Sequence, residues 1–153
     1  MALAQETATQ EQVQEKKVKP LVPFLRIPDG WPDEPAYVFA SRCKACGALF
    51  LGERYACGRC GSVEQFDEVR VSDEGEIYVF TVIHQSFPGI ETPYVAAIID
   101  FPEGVSVRAN VYGLDPNHPD RSWFGKKVRM RVEKIRVDRE GNDVVAPKYY
   151  VVE

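Results

Sequence analysis

The sequence predicts a mostly β protein with three parts: an extended or helical N-terminal arm, a ribbon held by cysteines, and a small barrel or sandwich of about five strands. Prolines crowd the first 40 residues, all four cysteines fall between positions 43 and 60, and β-branched apolar runs separated by turn residues fill the remainder. We therefore expect the arm at 1–40, the ribbon at 41–69 and the barrel at 70–153.

Composition excludes several classes of protein. Hydrophobic residues make up 44% and charged residues 27% of the 153, which suits a globular domain with a packed core. The net charge of -4 disfavours tight nonspecific binding of nucleic acid. No apolar run is long enough to span a bilayer, and the N-terminus lacks the pattern of a secretory signal. The expected location is the cytoplasm, where disulfides are rare.

The arm has two sections. Residues 1–19 are polar and lack aromatic side chains, so we expect a mobile tail, with a frayed helix over 11–19 as one option and ordering on a partner as another. From 20 to 40, five prolines stand among large apolar residues. That density prevents regular helix and predicts an extended segment on a surface. The protein's own surface is favoured over a partner's.

The cysteines form two CxxCG knuckles, CKACG at 43–47 and CGRCG at 57–61, with ten residues between Cys46 and Cys57. Two residues between thiols let both reach one ion from a tight turn, and the following glycine can adopt the positive φ that this turn needs. The candidate ligands are Cys43, Cys46, Cys57 and Cys60. Four thiolates close a tetrahedral shell, so the pattern predicts structural zinc.

Other uses of the cysteines are weaker. Iron in a rubredoxin-like site has the same ligands and stays an alternative. A redox CxxC would stand alone near a βαβ pattern, and catalytic zinc would need an open coordination position. The metal is therefore expected to fold a lobe that has little core of its own.

Five strand-like runs follow the second knuckle, and each is bounded by turn residues. They are GEIYVFTVIHQSF, YVAAIIDF, GVSVRANVYGL, KKVRMRVEKIRVD and VVAPKYYVV. Alternation in the fourth run changes phase near Lys134, which predicts a bulge or turn there.

No residue pattern points to autonomous catalysis. The chain has only two histidines: His84 follows an apolar run, and His118 lies in a proline-rich loop. Nucleophile, phosphate-loop and metalloprotease motifs are missing, and a metal would occupy every cysteine. We expect no catalytic residue, and hence an accessory protein rather than an enzyme on its own.

The order of motifs resembles the family of OB-fold, acyl-CoA-associated zinc-ribbon proteins long catalogued as a domain of unknown function. The matching pieces are YVFASRC, the two knuckles, GEIYVFTVIH, PYVAAIIDFPEGVSVRANVYGLD and FGKKVRMRVE, which together cover roughly residues 20–152. Gly58 departs from the family, where a proline is frequent, without affecting ligation. The resemblance implies a rubredoxin-like zinc ribbon followed by a five-stranded OB-fold barrel.

The resemblance also implies a function. Members of the family look like partners of thiolase-fold enzymes and of some CoA-ester hydratases or retro-aldolases. The implied role is a noncatalytic subunit in a hetero-oligomer with a thiolase-fold catalytic subunit, which cleaves a 3-oxoacyl-CoA with CoA. This chain would help to form the channel for CoA and substrate. Acyl-CoA would bind with the partner, and neither a membrane nor nucleic acid is expected as a partner.

A basic run at 126–139 is the candidate surface for CoA. It carries seven basic residues against two acids. Alternation with Val128 and Met130 places Arg129 and Arg131 on the outward face, where they could contact the phosphates of CoA. A solvated strand face is the simpler interpretation. Basic residues on the ribbon are a second candidate anion or partner site; they are Arg42, Lys44, Arg54 and Arg59.

Apolar residues in predicted turns have two interpretations, as anchors of an interface or as plugs of the barrel ends. They are Phe87, Ile90, Tyr94 and Trp123. Two other functions stay open. A ribbon with an OB fold could bind single-stranded nucleic acid through basic and aromatic side chains. A rubredoxin-like electron carrier would bind iron and be red.

Overall fold

The computed structural model describes residues 17–152, which form ten strands and one short 3-10 helix. The strands are β1 (Val18–Pro20), β2 (Leu25–Arg26), β3 (Tyr37–Cys43), β4 (Leu49–Leu51), β5 (Phe66–Arg70), β6 (Glu74–Ile83), β7 (Tyr94–Asp100), β8 (Ser106–Tyr112), β9 (Lys127–Val137) and β10 (Asp143–Val151). The 3-10 helix spans Arg121–Trp123. This part of the chain holds no helix that is long and apolar enough to cross a membrane. The prediction of a mostly β fold is confirmed.

Five strands close into a barrel. β6, β7 and β8 pair antiparallel in chain order, β8 pairs in parallel with β10, and β10 pairs antiparallel with β9. β9 returns to pair with β6 and completes the circuit. The circular order β6-β7-β8-β10-β9 is that of the five-stranded OB-fold barrel that the resemblance implies.

The end of the predicted tail is part of this sheet. β1 pairs in parallel with the first residues of β10, whereas β8 pairs only with Tyr149 and Tyr150 further along. Pro147 lies between the two paired stretches, where its missing N–H disrupts no ladder bond. Residues 1–16, with most of the helix considered for 11–19, lie outside the described residues.

Barrel closure depends on a close approach at Gly75. This glycine is buried in β6 and pairs with Val128 of β9. A Cβ here would lie 2.7 Å from Ile99 Cγ2 and 2.8 Å from the carbonyl oxygen of Asp100. Any side chain would therefore push β6 away from β7 at the point where β9 joins them.

The predicted change of register in β9 is confirmed as a bulge. Arg136 pairs with Val144 and Lys134 pairs with Val145, so Ile135 has no separate partner on β10. An inserted residue shifts the side chains beyond it to the opposite face. The bulge thus places Val137 on the same face of β9 as Val128, but Val137 is 49% exposed, whereas Val128 is fully buried.

The second sheet is built around β3. β2 and β4 pair antiparallel with β3, and β5 pairs with it as well. This sheet shares its apolar core with the barrel, because Leu25, Val38 and Ala40 belong to the same buried cluster as Ile77 and Tyr149. The proline-rich segment therefore packs on the protein's own surface, as favoured from the sequence, but it forms mostly turns around the two-residue β2 where an extended segment was predicted. β3 runs across residue 40, so the boundary expected there falls within a strand.

The connection between β8 and β9 covers one end of the barrel. Trp123 is 5% exposed, and its ring centroid lies 4.9 Å from that of Phe80. Asp120 caps the short helix by accepting a hydrogen bond from the Ser122 N–H at 2.7 Å. Of the two interpretations of Trp123, the structure supports the plug of the barrel end.

Candidate functional site

Two knuckles of the same local structure present the cysteines. In the first, the Gly47 N–H donates to the Cys43 carbonyl and the Cys43 N–H donates to the Ala48 carbonyl, both at 2.8 Å. The second repeats this pattern around Cys57 at 2.9 and 2.8 Å. Gly47 and Gly61 have φ of 76° and 75°, values that L side chains rarely adopt. The glycine after each CxxC is therefore part of the turn, as predicted.

The four cysteine sulfurs lie close together. Cys43 Sγ lies 3.7 Å from Cys60 Sγ, and Cys46 Sγ lies 3.5 Å from Cys57 Sγ. All four fall within 4.8 Å of one another. Sulfurs at about 2.3 Å from a tetrahedral ion are about 3.8 Å apart, so this arrangement fits a closed four-thiolate shell.

Local hydrogen bonds already favour one thiolate. The backbone N–H groups of Cys60 and Arg59 donate to Cys57 Sγ at 3.5 and 3.4 Å, and these bonds lower the pKa of the Cys57 thiol to about 6. At Cys60 the Ser62 backbone N–H also favours the thiolate, but desolvation and the neighbouring thiols, Cys57 first, raise the pKa to about 12. A bound cation would favour the thiolate form of both.

No other cluster of three or more histidine, cysteine or acidic side chains within residues 17–152 could hold a metal. Cys43 and Cys57 are each 3% exposed, whereas Cys60 is exposed. The first cysteine of each knuckle is thus buried, and the rest of the second knuckle is open to solvent.

The outer side of the ribbon carries exposed apolar residues near a network of charges. Tyr55 is 93% and Val63 79% exposed. Nearby, Arg26 lies 3.0 Å from Glu68 and 3.3 Å from Glu53. Of the basic residues predicted here, Lys44 pairs with Asp67 at 3.5 Å and the Arg54 guanidinium lies over the Phe50 ring at 4.9 Å. Arg42 and Arg59 are exposed.

Arg129 and Arg131 both lie on the outward face of β9, as alternation predicts. Arg129 Nη2 is 2.9 Å from Glu74 Oε2 and lines a groove of about 720 Å³ that also contains Asp73 and Glu103. The Arg131 guanidinium lies 4.6 Å from the centroid of the Tyr150 ring. The two cations thus contact different side chains, and their assignment to the phosphates of CoA stays a prediction.

Sequence reasoning missed a group of aromatic and charged side chains on the outer face of β8, β9 and β10. The rings of Tyr112 and Tyr150 stack with centroids 5.2 Å apart, and Lys148 Nζ lies 5.3 Å from the Tyr112 centroid. Glu133 accepts a hydrogen bond from the Tyr150 hydroxyl at 2.8 Å and pairs with Lys148 at 3.3 Å. Alternation with buried Tyr149 could have placed Tyr150 outward, but only the parallel pairing of β8 with β10 makes the two tyrosines neighbours.

The histidines lie where the sequence places them. His84 follows the last residue of β6 and is exposed. His118 is exposed in the loop after β8, with Nδ1 2.7 Å from Asp115 Oδ2. This contact, together with the Asn117 backbone N–H, lowers the pKa of Asp115. Both histidines are exposed, and neither belongs to the sulfur cluster.

The long β6–β7 loop carries the predicted apolar turn residues. Phe87 is 80% and Ile90 50% exposed, and the Ile90 N–H donates to the Phe87 carbonyl at 3.2 Å. Tyr94 is half-buried at the start of β7 and lines a groove with Ile90 and Tyr112. Phe87 and Ile90 therefore fit an exposed interface better than a plug of the barrel.

The fold defines a class of protein in which a four-cysteine ribbon shares one core with a five-stranded OB barrel. Comparison with known proteins identifies the family. Residues 68–133 match the family model described as ChsH2, C-terminal OB-fold domain. The chain is 30% identical over 106 residues to a DUF35 domain-containing scaffold protein of Methanocaldococcus jannaschii. The match covers 68% of this chain and 72% of that protein. The chain belongs to the DUF35 family.

Two further relatives carry names that bear on function. Benzoylsuccinyl-CoA thiolase subunit BbsA of Geobacter metallireducens is 30% identical over 149 residues, which are 91% of this chain and 95% of that subunit. A solved chain of the Ltp2-ChsH2(DUF35) aldolase is 27% identical with a TM-score of 0.58, and the match covers 75% of this chain and 84% of that one. Both relatives belong to named enzyme complexes.

Proposed function

We propose that this protein is a noncatalytic, zinc-binding subunit of an acyl-CoA-converting complex of the thiolase type. Its catalytic partner cleaves a 3-oxoacyl-CoA with CoA, and the partner's own nucleophile takes the acyl group. This chain stabilises that partner and helps to form the channel for CoA and substrate.

One observation carries the proposal: the similarity to a thiolase subunit extends over nearly the whole of both chains. A shared barrel alone would say little, because the OB fold serves many functions. Here the match includes the ribbon, the barrel and the segment before them. The Ltp2-ChsH2(DUF35) aldolase supports the same kind of assembly, since it too joins a DUF35 chain to an enzyme.

Zinc has a structural role in this proposal. Around a bound ion the four sulfurs would close the coordination shell and leave no position for water or substrate. The ion would hold the two knuckles together beside β3, whose Val38 and Ala40 lie in the common core. It would thereby fix the exposed outer side of the lobe, including Tyr55 and Val63, in one orientation toward a partner.

The described residues offer binding surfaces in place of a catalytic group. A general acid or base must lie within hydrogen-bonding distance of its substrate, and both histidines are on open loops. The outward cations Arg129, Arg131 and Lys148 are suited to an anionic ligand once a partner supplies the other wall of a channel. In this proposal they hold and orient the phosphates of CoA.

The first experiment is a tagged purification from cells of the source organism, with the co-purifying chains identified by mass. We expect a thiolase-fold subunit in stoichiometric amount, one zinc per copy of this chain, and 3-oxoacyl-CoA cleavage only by the complex. Substantial cleavage by the isolated chain, or recovery of the chain without a thiolase-fold partner, would contradict the proposal. A red protein would indicate iron in place of zinc.

A second candidate function is binding of single-stranded nucleic acid. The stacked Tyr112 and Tyr150, flanked by Arg131 and Lys148, combine the aromatic and cationic groups that such proteins use. The test is titration of the zinc-loaded chain with a short oligothymidylate at physiological ionic strength. Salt-sensitive binding that is lost in Tyr150→Ala would favour this function, and no binding would exclude it.

A further inference from the structure

The second half of β9 has a paired neighbour on one side only. β9 pairs with β6 only over Lys127–Arg129, and the Met130 N–H makes a final bond to the Asp73 carbonyl at 2.8 Å. Beyond that point β9 continues for seven residues, paired with β10 on its other side alone. We call Arg131–Val137 the free edge of β9. No described strand runs beside it.

The direction of the backbone groups follows from the neighbouring bonds. The Lys126 carbonyl accepts from Ile77 on the β6 side, whereas the Lys127 carbonyl accepts from Val152 on the β10 side. The backbone N–H and C=O groups of even-numbered residues of β9 therefore face the β6 side up to the bulge, and beyond the bulge those of odd-numbered residues do. Val132 and Lys134 consequently present their N–H and C=O groups along the free edge, where another strand can bind them.

The side chains along this edge are apolar and basic. Four consecutive residues, 134–137, are exposed, among them Ile135 at 39% and Val137 at 49%. Lys134 is paired with Asp143 at 3.0 Å. Arg136 and Arg139 have no ion pair with any described residue, so their charges are available to a ligand. Basic side chains on an edge strand are enough to discourage aggregation. Protection against aggregation does not explain why Ile135 and Val137 are exposed as well.

Charge decides which strand fits. A second copy of this chain would bring Lys134 and Arg136 against the same residues of its partner, and like charges across a strand pair repel. An extended segment that alternates acidic and apolar residues would neutralise Arg136 and Arg139 and cover Ile135 and Val137. Strand addition of this kind draws affinity from backbone bonds and selectivity from side chains.

We infer that the free edge of β9 receives an extended acidic segment of the catalytic subunit as an additional strand. This inference rests on the proposed function, because it names a second surface through which the two subunits join. It adds a contact on the barrel to the one that the proposed function places on the cysteine ribbon.

Amide hydrogen exchange tests the inference on the purified complex and on the isolated zinc-loaded chain. In the complex, exchange in peptides covering residues 131–137 should slow by at least about tenfold. If a thiolase-fold partner is bound but this segment exchanges as in the free chain, the inference is wrong and the proposed function stands. If no such partner is obtained, both fail. If deletion of residues 1–16 speeds exchange here in the free chain, the edge is already covered by the chain's own N-terminus, and the inference is overturned.

A charge-reversal pair gives the matched control. Arg136→Glu with Arg139→Glu should weaken the complex by about tenfold at physiological ionic strength, with a smaller effect in high salt. Arg108→Glu with Arg121→Glu changes the net charge equally at exposed positions away from this edge, and it should weaken the complex less than about twofold. Equal loss in both doubles would show a nonspecific effect of net charge and contradict the inference.

Discussion

The ribbon and the barrel are stabilised by different means, although they share one core. The barrel buries apolar side chains from all five strands, including Ile99, Val107 and Val128 at 0–1% exposure. The ribbon beyond β3 contributes few such residues, and its second knuckle is largely exposed. Its two knuckles are instead brought together at four sulfurs. Because the two regions rely on different interactions, they should respond differently to the same kind of damage.

The largest effect is expected at the cysteines. Cys57→Ser removes one of the four clustered thiols, so zinc should be lost and the ribbon destabilised by at least about 3 kcal/mol. Zinc content by native mass spectrometry and exchange in residues 44–65 measure this. Arg59→Ser, an exposed change within the same knuckle, should keep the metal. Retention of zinc by Cys57→Ser would contradict the four-cysteine site.

Gly75→Ala tests the barrel in the same way. The added Cβ would overlap Ile99 Cγ2 and the Asp100 carbonyl, and overpacking of this kind costs about 1–3 kcal/mol. Chemical denaturation followed by tryptophan fluorescence measures the loss, because Trp123 is in the barrel core. Gly58→Ala is the control, since a Cβ there comes no closer than 3.6 Å to the Phe50 ring. Equal stability of the two variants would show that closure does not need glycine.

Val38→Ala tests the coupling of the two regions. Val38 is 1% exposed in β3 but belongs to the common core, so its truncation should lower the free energy of unfolding of ribbon and barrel together, by about 1–2 kcal/mol. Val63→Ala, at a position 79% exposed, should change stability by less than about 0.5 kcal/mol. If exchange increases only in the ribbon of Val38→Ala, the two regions unfold independently.

The smallest effect is expected at Glu133. The Tyr150 hydroxyl and then Lys148 lower the pKa of this carboxyl below its ordinary 4.5. A carboxyl whose pKa is lower in the folded than in the unfolded state stabilises the fold at pH values above its unfolded-state pKa. That stabilisation is lost as the pH falls through its folded-state pKa. Glu133→Gln should thus cost about 0.5 kcal/mol at neutral pH, since the group is partly exposed, and nothing near pH 2. A difference that persists at pH 2 would exclude an ionic origin.

Much of this architecture could be predicted from local patterns. CxxCG spacing identified the four thiols, because two intervening residues and a glycine suffice for each knuckle. Alternation placed Arg129 and Arg131 outward and located the bulge near Lys134, since the period of a strand is a local property. The assignment of the two arginines to CoA could not be tested in this way, because a ligand site depends on which strands become neighbours.

The sequence by itself determined the two cysteine knuckles, the five barrel strands and the mostly β character of the fold. These features depend on residues close to one another in the chain. Only the tertiary structure decided that β3 shares the barrel's core, that Val18–Pro20 joins β10, and that Arg129 pairs with Glu74. It also decided that β9 outruns β6 and keeps a free edge. These features depend on pairing between distant segments, and local patterns do not specify a strand's neighbours.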